Sequence, residues 1–105
     1  MNKMGLSEFD SLLQKENNVL VDFYANWCQP CKLLDNILGE VQNEVGKKIF
    51  IQKIDVDLSK ELSGFYQVQS IPVLIFFKRG KPVWRMNGFL STSELIATLK
   101  NFLES

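Results

Sequence analysis

The chain contains two cysteines, Cys28 and Cys31, and only Gln29 and Pro30 separate them. Thiols at this spacing can close a disulfide, and a partner captured by one sulfur can be displaced by attack of the other. The pair lies between two patterned segments. Before it, Val19 to Ala25 is a short apolar run rich in β-formers; after it, Leu34, Ile37, Leu38, Val41 and Val45 recur at helical spacing. Cys28 is therefore expected where a strand hands over to a helix. There, free backbone N–H groups and the helix dipole stabilise a thiolate. Pro30 suits the first helical turn, where its missing donor costs little.

Two plainer readings of the pair compete with redox chemistry. As a structural staple it is weak, because closing a loop of about four residues contributes roughly 2 kcal/mol, against about 3 for fifteen. A chain of 105 residues, 46% of them hydrophobic, has no need of it. As a zinc site it is incomplete, since zinc takes three or four protein ligands and the sequence holds two cysteines and no histidine. The expectation is no metal and no bound organic cofactor. Asp22 is the other residue whose placement suggests chemistry. It interrupts the apolar run Val-Leu-Val-Asp-Phe-Tyr, and a buried carboxylate must be paired, neutral or functional.

The elements that position these groups follow from the hydrophobic pattern. Ser7 reads as the N-cap of a first helix carrying Phe9, Leu12 and Leu13. After the strand Val19–Ala25 comes the helix from Cys31, closed by Gly46. Ile49 to Val56 is a second strand, and Asp57 and Ser59 start a short helix with Leu62, Phe65 and Tyr66. Val73 to Lys78 and Val83 to Met86 form a hairpin around Arg79–Gly80–Lys81. Pro82 cannot donate a ladder hydrogen bond and places the last strand at an edge. Ser91 with Glu94 forms a capping box for a final helix carrying Leu95, Leu99, Phe102 and Leu103. The result is one α/β domain over residues 1–105, with a mixed sheet of four to five strands, a parallel core, an antiparallel C-terminal hairpin and about four helices.

Charge excludes some functions. Twelve basic and twelve acidic side chains cancel, which gives no electrostatic case for nucleic acid or an anionic membrane. No apolar run is long enough to span a bilayer. Met1 to Asp10 contains no apolar leader core, so a cytoplasmic location is expected, with a mature exported form as the alternative.

The segment Val21 to Lys32, Val-Asp-Phe-Tyr-Ala-Asn-Trp-Cys-Gln-Pro-Cys-Lys, closely resembles the active-site segment of the thioredoxin family. Ser70 to Leu74, Ser-Ile-Pro-Val-Leu, resembles its cis-proline loop, while Lys78–Lys81 and Gly88 fall where the family has a hairpin turn and a late glycine. The resemblance runs from about Leu6 to Leu103. It implies a thiol–disulfide oxidoreductase, and more specifically a general protein-disulfide reductase that works as a monomer. Protein disulfides would be its substrates, and a separate thioredoxin reductase its electron source. Cys28 would be the exposed nucleophile and Cys31 the buried resolving thiol, with Asp22 moving a proton to or from Cys31 and Lys53 partnering Asp22. Trp27, Gln29, Pro30, Ile71, Pro72 and Gly88 would form the substrate surface, with a cis Ile71–Pro72 bond presenting the Ile71 backbone to a peptide.

Four departures from the family pattern bear on specificity. Gln29 stands where Gly is commonest, and Asn36 where a kinking proline is usual, which predicts a straighter helix. Gln67 and Ser70 replace two glycines near the proline loop. A first strand, if formed, is confined to Met1–Gly5. Gln29 adds no charge beside the thiols, which favours a reducing potential. Two other functions stay open: a specialised extracytoplasmic reductase or isomerase, and a thioredoxin-fold binding subunit.

Overall fold

The structure, a computed structural model, describes residues 3–104. Its elements are α1 (Leu6–Lys15), β1 (Asn18–Tyr24), α2 (Gln29–Val45), a 3-10 turn (Gly46–Lys48), β2 (Phe50–Asp55), α3 (Lys60–Phe65), β3 (Val73–Lys78), β4 (Lys81–Asn87) and α4 (Thr92–Leu103). The order matches the one the sequence predicts. Among the described residues, four strands form one sheet in the order β2-β1-β3-β4.

This sheet is mixed, as expected: β1 and β2 run parallel, while β1–β3 and the C-terminal hairpin β3–β4 are antiparallel. The segment between β2 and β3 returns the chain to the end where β2 finished: Asp55 closes β2 beside Tyr24, and Val73 opens β3 beside Phe23.

Five consecutive buried residues make β1 the centre of the fold. Alternate side chains take opposite faces. Val19, Val21 and Phe23 pack with Ile75 and Phe77 of β3 against Phe9 and Leu13 of α1 and Leu62 of α3. Leu20, with Leu74 and Phe76, packs against Leu34, Leu38 and Val41 of α2 and Leu95 and Leu99 of α4. Asp22 shares the Leu20 side and so points toward the α2–α4 layer. Both apolar faces of the sheet are covered, which is why β1 and β3 read as unbroken hydrophobic runs.

Local chemistry explains the boundaries. The helix α1 starts earlier than predicted: Gly5, not Ser7, is its N-cap, because the Glu8 carboxylate accepts the Gly5 N–H at 3.2 Å. Residues 3–5 form no strand, and the rest of the predicted N-terminal strand, Met1 and Asn2, lies outside the described residues. The helix α2 runs unbroken through Asn36; as predicted, it ends at Gly46, and Ser91 and Glu94 form a complete capping box at α4. The β3–β4 hairpin turns through two residues, Arg79 at φ 51° and Gly80 at φ 82°, the backbone that two-residue hairpins require. On the edge strand, Pro82 sits at a register shift opposite Phe76/Phe77.

Gln67 closes α3. It lies at φ 53°, with its N–H donating to the Gly64 carbonyl at 3.1 Å and the Val68 N–H donating to Ser63 at 2.8 Å. This is the paired Schellman pattern, whose left-handed position favours glycine. Gln67→Gly is expected to stabilise the fold by about 0.5–1 kcal/mol. Denaturant unfolding of the two proteins checks this, with an equal m-value expected for both.

Candidate active site

The chain leaves β1 at Tyr24, and four residues later Cys28 is the N-cap of α2. Its extended backbone, at φ -89° and ψ 111°, turns the side chain over the first helical turn. The Cys31 N–H donates to Cys28 Sγ at 3.2 Å. Pro30 occupies the first turn, which contains no acidic residue to oppose a thiolate. Cys28 and Cys31 are joined as a disulfide, with their Cα atoms 5.3 Å apart. The Cys31 N–H and the positive end of α2 both face Cys28 Sγ, the arrangement that favours a thiolate.

The expectation of an exposed Cys28 needs correcting for this disulfide form. Cys28 is 4% exposed and Cys31 2%. Both pack in a small cluster with Ala25, flanked by Tyr24, Val56 and Ile71. Cys28 Sγ is bonded to Cys31 and buried, while the neighbouring Gln29 and Pro30 are exposed. Trp27 is also exposed, at 70%, and its indole Nε1–H donates to Asp57 Oδ2 at 2.9 Å. It is not a core aromatic.

From the other side of the sheet's end, the β3 entry loop brings Ile71 against the cysteine cluster. The Ile71–Pro72 bond is cis, and Pro72 is buried. The Pro72 carbonyl accepts the Gly88 N–H at 2.8 Å. Gly88 has φ 114°, a backbone that side-chain-bearing residues rarely adopt, and this explains why a glycine stands there. Nearby, Arg85 donates to the carbonyls of Tyr66 (2.5 Å) and Gln67 (3.0 Å), fastening the start of this loop to β4.

Asp22 is completely buried, and neither carboxylate oxygen has a hydrogen-bond partner among the described residues. Burial raises its pKa from 3.8 to about 7, with Lys53 opposing the rise and Asp35 adding to it. A carboxyl titrating there can both accept and release a proton near neutrality. Lys53 lies opposite Asp22 in the β1–β2 register, but their expected direct pairing is not formed. Its ammonium instead meets Asp35 Oδ1 of α2 at 2.5 Å and sits 4.5 Å from the centre of the Tyr24 ring. Lys53 and Asp35 are half-exposed, so the ammonium keeps its hydration where it is and would lose it beside Asp22. Sequence reading missed Asp35 and Asp57. The signal for Asp35 was present, since it stands four residues after Cys31 on the same helix face. Asp57 had none, because only the fold brings it to Trp27.

No group of three or more His, Cys, Asp or Glu side chains that could hold a metal occurs among the described residues. No helix among them is long and apolar enough to cross a membrane.

The family model described as Thioredoxin matches residues 1–101. The chain belongs to the thioredoxin family. Thioredoxin of Mycoplasmoides gallisepticum is 45% identical over 94 residues, covering 90% of this chain and 93% of the relative. Chloroplastic Thioredoxin Y of Oryza sativa is 44% identical over 103 residues, covering 97% of this chain and 61% of that longer protein. Among solved structures, a mutant thioredoxin from Halobacterium salinarum superposes with a TM-score of 0.87 at 29% identity, covering 98% of this chain and 89% of the other. With the Cys28–Cys31 disulfide at the start of α2, this thioredoxin-family chain is a thiol–disulfide oxidoreductase.

Proposed function

We propose that this chain is a general protein-disulfide reductase that works as a monomer in the cytoplasm, recharged by a separate thioredoxin reductase. The observation that carries the reading is Cys28 at the N-cap of α2 with the Cys31 N–H aimed at its sulfur. The Cys28 thiolate attacks a substrate disulfide; a new S–S bond forms to Cys28 and one substrate sulfur leaves as a thiolate. Cys31 then gives its proton to the Asp22 carboxylate and attacks Cys28 Sγ. The mixed disulfide breaks, the second substrate sulfur leaves, and Cys28–Cys31 is restored as a disulfide. The substrate gains two electrons and the chain loses two. Lys53 adjusts the charge beside Asp22. Trp27, Gln29, Pro30, Ile71, Pro72 and Gly88 offer the substrate a rim around the cysteines, with main-chain pairing at Ile71 making recognition broad.

Insulin reduction coupled to a thioredoxin reductase tests this. Steady turnover is expected at catalytic amounts of the chain. A folded protein whose cysteine pair is reduced chemically, yet reduces no insulin, would overturn the reading in favour of a binding subunit.

A further inference from the structure

The Lys53–Asp35 pair is formed by a residue the catalytic reading does not use. Asp35 projects from α2 one turn beyond Cys31 and holds the Lys53 ammonium at 2.5 Å, at the protein surface. Meanwhile the carboxylate directly opposite Lys53 in the β1–β2 register, that of Asp22, is left with no partner at either oxygen among the described residues. One ammonium thus has two acids within its range, and the structure gives it to the hydrated one. We propose that Asp35 is a positioning residue for the exchange reaction: by holding Lys53 away from Asp22, it sets the protonation state in which Asp22 meets Cys31.

This inference rests on the reading of Asp22 as the proton carrier. The charged and titratable groups facing Asp22 are few. From β2 there is Lys53 and from α2 there is Asp35; β3 pairs Leu74 beside it, and Tyr24 follows on β1 itself. Burial is the dominant influence on the acid and is unaffected by a change at Asp35. What a change at Asp35 alters is the position of the lysine and one negative charge, and both effects act in the same direction. Losing Asp35 frees Lys53 to turn toward Asp22 and removes a repelling charge, so Asp22 gives up its proton at lower pH.

Carbon-13 NMR titration of the Asp22 carboxyl in the oxidised protein reads this directly, and the pH profile of mixed-disulfide resolution reads its consequence. Asp35 is half-exposed, so Asp35→Asn leaves the core intact. In that variant the Asp22 midpoint is expected to fall by about one pH unit. The acid limb of the resolution profile should move with it. In a Lys53→Met background the same substitution should move the midpoint less than half as far, because the lysine carries most of the effect. An unmoved midpoint in Asp35→Asn, or an equal shift with and without Lys53, would overturn the inference. A shifted midpoint with an unmoved rate profile would instead remove Asp22 from the proton step, while leaving the placement of Lys53 by Asp35 standing.

Discussion

Replacing the first cysteine, Cys28→Ser, is expected to bring insulin reduction down to the uncatalysed background, a loss of about a thousandfold or more. The expectation follows from the N-cap position. Cys28 Sγ is the sulfur that receives the Cys31 N–H and stands at the positive end of α2. A serine hydroxyl in that place would accept the same hydrogen bond, so the helix start and the fold survive while the nucleophile is lost. The partner substitution has a different signature. Cys31→Ser leaves capture intact and removes resolution, so a covalent adduct between Cys28 and one substrate sulfur should accumulate to one equivalent and be visible by mass. If Cys28→Ser traps the adduct and Cys31→Ser does not, the two roles are reversed.

The second large effect is on stability and is set by pH. Asp22 titrates at about 7 in the folded chain against 3.8 for an ordinary aspartate. Below both values the carboxyl is protonated whether folded or unfolded, and its ionisation adds no cost. As pH rises between them, the unfolded chain releases the proton and the folded chain keeps it, so the unfolded state gains. The penalty grows from about pH 4 and is complete above about pH 7, where roughly three pKa units correspond to about 4 kcal/mol. Asp22→Asn keeps the shape and the neutral amide cannot ionise. Its oxidised form is therefore expected to be more stable than the parent by about 4 kcal/mol near pH 8, and nearly equal to it near pH 4. In thermal unfolding near neutral pH this is a rise of more than about 10 °C. A gain independent of pH would mean that packing, not ionisation, separates the two proteins.

Both effects fall on residues that sequence pattern alone can single out. Cys28 and Cys31 are conspicuous by spacing, and Asp22 by polarity inside an apolar run. Other parts of the site were legible only in part. The register places Lys53 opposite Asp22, the acid that the family resemblance gave it as a partner, but the ammonium pairs with Asp35, because a surface ion pair keeps its water and a buried one does not. The exposure expected of Cys28 failed for the disulfide form, in which its sulfur is bonded to Cys31 and packs beside Ile71. Trp27 and Asp57 are 30 residues apart in the chain, and their hydrogen bond follows only from β1 and β2 lying side by side.

Hydrophobic periodicity, turn residues and capping signals are local quantities, and by themselves they determined the order of elements, the unbroken α2, the edge position of Pro82 and the strand-to-helix junction that carries the cysteines. Tertiary structure decided the direction of β3, because that direction is set by pairing with β1, a segment far away in sequence. It also decided which acid holds Lys53 and how far Asp22 is removed from water. These depend on distances between segments far apart in sequence and on the water excluded between them, and no window along the chain contains either.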